Sequence, residues 1–255
     1  MLGWLLAGIN NHPKLTENWI FKGGTCLKKC YFQDYRFSED LDFTWHDHDK
    51  FDEKHLSKYF FDIIDWLYET CGILMPKGTV KIETYKTPRD QISMQVRIGY
   101  QGPLQRQGDY ARVKMDITCE EIVVLKPEKR VVFHPYSDCT ENGFHVASYC
   151  IEEIFAEKLR ALIDRTRPRD IYDVVYFYEQ QKTKLDFAEV KNVFLQKCAF
   201  KKIILPKLKD ILSSANSVEI KMEWHNMLGH QLSELPEFDV YWNKLPMVLE
   251  MFLKV

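Results

Sequence analysis

The stretch that decides the fold is "FKGGTCLKKCYFQDYRFSEDLDFTW", residues 21–45. It opens with the glycine pair Gly23 and Gly24 and closes with an Asp-Leu-Asp motif inside an apolar run. Because successive side chains of a β-strand point to opposite faces, Asp40 and Asp42 are predicted to share the open face of a half-buried strand. Two carboxylates so placed repel each other unless a cation lies near them. The stretch therefore predicts a glycine turn, a short helix and an acidic strand that binds a cation.

A third acid occurs in "RVKMDIT", residues 112–118, where apolar residues alternate with Lys114 and Asp116. If this strand lies beside the first one, Asp116 completes a cluster of three carboxylates with Asp40 and Asp42. Hard oxygen ligands suit Mg²⁺ or Mn²⁺ better than Zn²⁺. The sequence therefore predicts a divalent metal site at these three aspartates.

The glycine pair predicts a phosphate-binding turn. Gly23 and Gly24 follow a predicted strand and precede a helix that starts near Thr25, so backbone N–H groups and the helix N-terminus can approach phosphate oxygens. The Ser38 hydroxyl can donate to the same phosphates, and Arg36 can pair with the acids or with the substrate. Alone, a glycine pair is usually a turn and an Asp-x-Asp a solvated loop. Together they favour a site for a nucleoside triphosphate carried by a metal ion.

The composition is that of an ordinary globular chain. Of 255 residues, 45% are hydrophobic and 28% are charged, and the net charge of −2 gives no global basic field that would indicate nucleic acid. The opening "MLGWLLAGIN" lacks a basic leader and is too short to cross a bilayer. Seven cysteines without a CxxC pair indicate reduced thiols. We expect a cytoplasmic protein without a membrane partner.

The pattern along the chain predicts an α+β domain over residues 1–145 and a helical domain over residues 146–255. After position 148 the chain is predicted to be helical, with breaks at Pro168, Pro206 and Pro236. Between positions 78 and 138 alternating and β-branched segments predict an antiparallel or mixed sheet. The predicted strands of this region are "TVKIETYK", "QISMQVRIGYQ", "YARVKMDIT", "EIVVL" and "RVVFHPY".

A second group of polar residues lies in "SYCIEEIFAEKLRALIDRTRPRDIYDVVYF", residues 148–177. Lys158 falls within an apolar helical stripe, where its charge needs a partner unless the side chain extends to solvent. Pro168 suits the start of the next helix, and Asp170 and Asp173 share one of its faces. Asp170 can also serve the helix N-terminus alone, so a structural role for it stays open.

The most basic stretch is "QKCAFKKIILPKLK", residues 196–209. A run of charges on a helix is usually a solvated face, and it is also where contact with an RNA backbone is first expected. The lysines of this stretch are Lys197, Lys201, Lys202, Lys207 and Lys209.

The motifs "FKGGTCLKK", "RFSEDLDF" and "VKMDI" resemble those of the nucleotidyltransferase superfamily and, more narrowly, of the AbiEii/AbiGii-type toxin nucleotidyltransferases. "EEIFAEKLRAL" and "RPRDIYDV" are similar to the later motifs of that family, so the resemblance runs from about Trp4 to Tyr178. It implies a polymerase-β-like fold whose mixed-sheet lobe carries most of the active site, completed by the helical lobe. It also implies the toxin of a type IV toxin–antitoxin, abortive-infection system, a cognate antitoxin and tRNA or another RNA as acceptor.

The resemblance implies a role for each motif residue. Lys158 and one downstream aspartate face the active site, Asp170 being the assignment and Asp173 its competitor. Two other functions stay open: a small-molecule nucleotidyltransferase of the antibiotic-resistance kind, and a nucleotide-binding regulator without turnover. The implied catalytic residues are Asp40, Asp42, Asp116, Lys158 and Asp170, with Gly23, Gly24, Thr25, Arg36, Ser38 and Lys158 binding the triphosphate.

Overall fold

In a computed structural model the chain divides into two compact units. Unit 1 comprises Met1–Glu121 and Lys126–Tyr149, and unit 2 comprises Ile122–Leu125 and Cys150–Val255. No helix in the described part of the chain has the length and apolarity needed to cross a bilayer. The structure describes residues 1–46, 53–102, 110–139 and 143–253.

Unit 1 is built on a seven-stranded mixed sheet with strand order β3-β4-β5-β2-β1-β7-β6. The β1–β7 and β2–β5 pairs are parallel, and the other neighbours are antiparallel. The α+β class and the mixed sheet predicted from the sequence are confirmed. The strands are β1 Trp19–Lys22, β2 Leu41–Trp45, β3 Lys81–Lys86, β4 Ile92–Tyr100, β5 Ala111–Thr118, β6 Glu128–Val132 and β7 Phe144–Ser148.

One face of this sheet is apolar, as the alternation along the strands requires. Phe43 on β2 and Met115 on β5 are completely buried. Helix α4 contacts the same layer, because the ring of its Phe60 lies 5.9 Å from that of Trp19 on β1. The polar residues of the same strands lie on the opposite face. The helices of unit 1 are α1 Leu2–Asn11, α2 Pro13–Thr16, α3 Gly23–Cys26 with a π-helical extension over Leu27–Tyr31, and α4 Glu53–Cys71, with a 3₁₀ turn at Lys77–Thr79.

Unit 2 is helical. The break predicted at Pro168 is confirmed, since this residue begins α6 after α5 has ended at Arg165. Phe155 on α5 and Phe177 on α6 stack with ring centroids 4.6 Å apart, which fixes the two helices side by side. The helices are α5 Ile151–Arg165, α6 Pro168–Gln181, α7 Phe187–Phe200, α8 Leu208–Ile211, α9 Ser214–Leu228 and α10 Phe238–Leu253.

The strand predicted at "EIVVL" is wrong, and a buried ion pair explains why. The Glu153 carboxylate accepts hydrogen bonds from the backbone N–H groups of Val124 and Leu125. Lys197 donates to the Ile122 carbonyl and lies 2.7 Å from Glu153. These side chains take backbone groups that a strand would pair, so the segment belongs to unit 2. Conversely, the sequence pattern did not predict the strand β7 at Phe144–Ser148.

Candidate active site

The sheet brings the predicted carboxylates together on its polar face. Asp42 on β2 is paired in register with Asp116 on β5, so the two side chains are neighbours on the same face. Asp40 lies one residue before β2 begins, in the loop that leads into the strand, rather than within the strand. Its carboxylate is 52% exposed, whereas that of Asp116 is 27% exposed. The β2–β5 adjacency expected from the sequence is therefore observed.

Lys114 joins these acids through its ammonium group. Its Nζ lies 2.6 Å from Asp116 Oδ2 and 3.7 Å from Asp40 Oδ2. Burial acts to lower the pKa of Lys114, but the hydrogen bond to Asp116 and the charges of the three aspartates outweigh burial and raise that pKa. The carboxylates of Asp40 and Asp116 thus both lie close to the Lys114 ammonium.

Two further residues belong to this face and were not predicted. Gln95 on β4 is paired with Asp116 and donates a hydrogen bond of 2.9 Å to Asp116 Oδ1, which fixes the orientation of that carboxylate. Tyr85 on β3 is 44% exposed, and burial together with the charge of Asp116 raises its pKa. The alternation in "QISMQVRIG" carries the signal for Gln95, but only the strand order shows which acid it contacts.

Gly23 must be glycine for two reasons. Its φ of +79° lies in the region that L-residues with side chains rarely adopt, and a Cβ there would lie 2.1 Å from Asp42 Oδ2. The first residue of α3, directly after β1, therefore packs against the Asp42 carboxylate. The glycine pair and the acidic motif are parts of one site.

The remaining residues of the turn support the loop that leads to the acids. Gly24 is buried against Ser38, whose Oγ would lie 3.0 Å from a Cβ at position 24. The Thr25 hydroxyl is buried and lies 2.9 Å from Ser38 Oγ, with a second, very short contact to the Asp40 carbonyl. Arg36 is likewise buried, with its Nη2 3.5 Å from the same Cβ position. Thr25 thus holds the segment from Ser38 to Asp40 in place.

In unit 2 the two candidate aspartates have different partners. Lys158 Nζ lies 2.7 Å from Asp173 Oδ2, so the lysine has the partner that its apolar surroundings require. Asp170 is bound by Arg165 through two hydrogen bonds of 2.7 and 2.8 Å and also accepts one from the Arg167 backbone N–H. Asp170 therefore caps α6 and pairs with arginine, while Asp173 pairs with lysine.

The donor chemistry of the acids in unit 1 fits a hard divalent cation. Carboxylate oxygens are the ligands that Mg²⁺ and Mn²⁺ prefer, and the Lys114 ammonium marks a position where Asp40 and Asp116 converge on positive charge. Within the described ranges, no three His, Cys, Asp or Glu side chains are close enough to hold a metal ion as they stand. The side chains fit such an ion in kind.

Two solved structures are similar to this chain over most of its length. The crystal structure of JHP933 from Helicobacter pylori has a TM-score of 0.58 and 17% identity, covering 98% of this chain and 88% of that one. MenT4, the nucleotidyltransferase toxin Rv2826c from Mycobacterium tuberculosis H37Rv, has a TM-score of 0.60 and 17% identity, covering 100% of this chain and 82% of that one. The chain therefore shares its overall fold with these two proteins. No curated protein sequence matches the chain.

The family follows from the sequence itself. A family model for the AbiEii toxin, a nucleotidyl transferase of type IV toxin–antitoxin systems, matches residues 4–244. The chain belongs to this family and is a nucleotidyltransferase. The resemblance stated from the motifs is confirmed.

Proposed function

We propose that this toxin transfers a nucleoside monophosphate from a nucleoside triphosphate to RNA, with tRNA as the leading acceptor, in the bacterial cytoplasm. Asp40, Asp42 and Asp116 hold Mg²⁺ or Mn²⁺, which when bound neutralises the phosphates and polarises the reacting oxygens. The observation that carries this proposal is the in-register pairing of Asp42 with Asp116, with Gly23 packed against Asp42.

The glycine turn that begins α3, directly after β1, supplies the triphosphate site in this proposal. The backbone N–H groups of Gly23 and Gly24 and the Ser38 hydroxyl donate to phosphate oxygens. Thr25 and Arg36 are buried next to these groups, where Thr25 holds the loop through Ser38 and the Asp40 carbonyl. Lys158 as a further phosphate contact stays a prediction from the family motif, as does the choice between Asp170 and Asp173.

The transfer balances as a single displacement at the α-phosphorus. The acceptor hydroxyl oxygen forms a bond to that phosphorus, and the bond to the oxygen bridging the α- and β-phosphates breaks, so pyrophosphate leaves with the electron pair. Asp116 takes the proton of the hydroxyl. Gln95 orients the Asp116 carboxylate, through its hydrogen bond to Oδ1, for this proton transfer.

A labelling experiment tests the proposal. The protein is incubated with Mg²⁺, total tRNA and each nucleoside triphosphate labelled at the α- or at the γ-phosphate. We expect label on RNA from the α-position only, and its loss in Asp42→Ala. Glu39→Ala, which changes an exposed acid in the loop that leads into β2, is the matched control and should keep full transfer. Equal transfer by Asp42→Ala and the parent protein would show that the active site lies elsewhere.

The same assay separates the other functions. Pyrophosphate release only when an aminoglycoside-like small molecule is added would identify a small-molecule nucleotidyltransferase. Triphosphate binding without pyrophosphate release under any condition would identify a regulator. The family also implies neutralisation by a cognate antitoxin encoded separately, in a system that we propose serves defence against phage by abortive infection.

A further inference from the structure

A group of cations lies beside the carboxylates on the polar face of the sheet. Lys81 on β3 is paired with Arg97 on β4, and Arg97 is paired with Lys114 on β5. Arg112 lies two residues before Lys114 on β5, so its side chain points to the same face. We call Lys81, Arg97 and Arg112 the cationic group. It lies in the half of the sheet that is away from the glycine turn.

Neighbouring acidic side chains neutralise only part of the positive charge of this group. Arg97 is 42% exposed and lies near the acidic side chain of Glu83, with 3.6 Å between Nη1 and Oε1. Within the described ranges, Lys81 and Arg112 have no carboxylate partner, and both are exposed. Like charges on paired positions of adjacent strands destabilise a sheet unless an anion lies near them. The arrangement is therefore suited to an anionic ligand.

Tyr85 lies across the carboxylates from the cationic group. It is paired with Ser93, whereas Gln95, two residues further along β4, is paired with Asp116. Successive rows of side chains on one face are two residues, or about 7 Å, apart along a strand. Along the strands, this face therefore carries first a row of cations, then the row that contains the carboxylates, and then a row that ends in the exposed Tyr85 ring.

An in-line displacement fixes which side the acceptor uses. The attacking and leaving oxygens lie on opposite sides of the phosphorus. In the proposed function the triphosphate lies at the turn after β1, and the polar residues of β3 and β4 lie on the other side of the acids. The acceptor hydroxyl therefore approaches across β3 and β4.

We propose that the cationic group and Tyr85 form the acceptor site and that they bind single-stranded RNA. Lys81, Arg97 and Arg112 contact backbone phosphates, and the Tyr85 ring stacks an unpaired base next to the reacting hydroxyl. This inference rests on the proposed function for its orientation, but its test needs neither turnover nor a triphosphate.

The test is the binding of a fluorescein-labelled single-stranded RNA with a free 3′-hydroxyl, followed by fluorescence anisotropy without triphosphate. Lys81→Ala combined with Arg97→Ala should weaken binding about tenfold or more and reduce the salt slope by about 1.4, at about 0.7 per lost phosphate contact. Lys86→Ala is the matched control, because Lys86 lies on the same strand and points to the opposite face. Glu83→Gln should strengthen binding, since it removes the anion beside Arg97.

Tyr85 is tested in the same assay. Tyr85→Ala should weaken binding by about tenfold, whereas Tyr85→Phe should bind as the parent does because the ring is kept. Tyr68→Ala, at another exposed tyrosine of unit 1, should have no effect. A duplex of the same sequence should bind more weakly than the single strand.

Several results would overturn the proposal. One is unchanged RNA affinity in the Lys81, Arg97 and Tyr85 variants. Another is a loss of triphosphate affinity in these variants with RNA binding intact, which would mean that the cations hold the donor. Because the changed side chains are exposed and the Lys81–Arg97 variant also removes a like-charge repulsion, the variants should be no less stable than the parent in thermal unfolding. Absence of transfer together with the expected RNA binding would contradict the proposed function alone.

Discussion

Gly23 and Asp42 are in direct contact: a Cβ on Gly23 would lie 2.1 Å from Asp42 Oδ2. Gly23 thus forms part of the proposed phosphate-binding turn and also contacts Asp42, a proposed metal ligand. Neither residue can change without affecting the other. The contact makes the glycine turn the most sensitive point of the active site.

Gly23→Ala should therefore lower both stability and activity. The positive φ costs a side-chain-bearing residue about 1–2 kcal/mol, and the displaced Asp42 carboxylate should reduce nucleotide transfer by about 100-fold. Chemical denaturation and the labelling assay measure the two effects. Gly24→Ala is the comparison and should lose less stability and less activity, since position 24 has no positive φ. Its Cβ would meet Ser38 Oγ at 3.0 Å and Arg36 Nη2 at 3.5 Å rather than Asp42. Equal losses in both variants would contradict this explanation.

Lys197 and Glu153 form a completely buried ion pair, and removing one partner leaves a buried charge. We expect Lys197→Met to reduce the free energy of unfolding by about 3–5 kcal/mol. Adding Glu153→Gln should recover part of this loss, because no charge is then buried and the amide oxygen still accepts from Val124 and Leu125. Denaturant unfolding measures the free energy of unfolding of the single and the double variant. A double variant less stable than Lys197→Met would count against the explanation.

Lys158→Ala should have two separable effects. It leaves the buried Asp173 carboxylate without its cation, which should reduce the free energy of unfolding by up to about 3 kcal/mol. We also expect it to weaken triphosphate binding, as the phosphate-binding role proposed for Lys158 requires.

Combining Lys158→Met with Asp173→Asn separates these effects. The double variant should regain stability without regaining triphosphate affinity, as measured by thermal unfolding and by nucleotide titration. Parent-like nucleotide affinity in the stable double variant would assign the ion pair a structural role only.

Tyr241 should make unfolding depend on alkaline pH. Burial, with smaller contributions from Tyr176 and Glu179, raises the pKa of Tyr241 to about 12 from an ordinary value of 10.0. A raised pKa means that the folded state holds the proton more tightly, so this stabilisation is complete below pH 10 and is lost between about pH 10 and 12. Tyr241→Phe should lose stability less steeply than the parent in that window. Parallel curves of stability against pH would contradict the assignment.

The acidic cluster could be expected from the sequence because side chains alternate along both strands. This alternation puts the apolar residues on one face of the sheet and the carboxylates on the other. Asp42 and Asp116 follow this rule, and their strands are neighbours. The rule does not give the ends of strands, so the place of Asp40 in the preceding loop was not foreseen. Nor does it give strand order, which alone brings Gln95 beside Asp116.

The errors of sequence interpretation have one physical cause. "EIVVL" has the β-branched composition of a strand, but distant side chains bind its backbone instead. Lys197 belongs to the most basic stretch of the chain and was predicted to lie on a solvated face. It is instead completely buried against Glu153, so it is excluded from any contact with RNA. Local pattern cannot reveal partners that are 28 to 75 residues away in the sequence.

The segment Ile122–Leu125 belongs to unit 2 although the chain on either side of it belongs to unit 1. No single cut can therefore separate the two units intact. A fragment that ends at Tyr149 retains this segment without the carboxylate that binds its amides, and a fragment that begins at Cys150 lacks it. Proteolysis or gene splitting at that junction should therefore yield two unstable pieces.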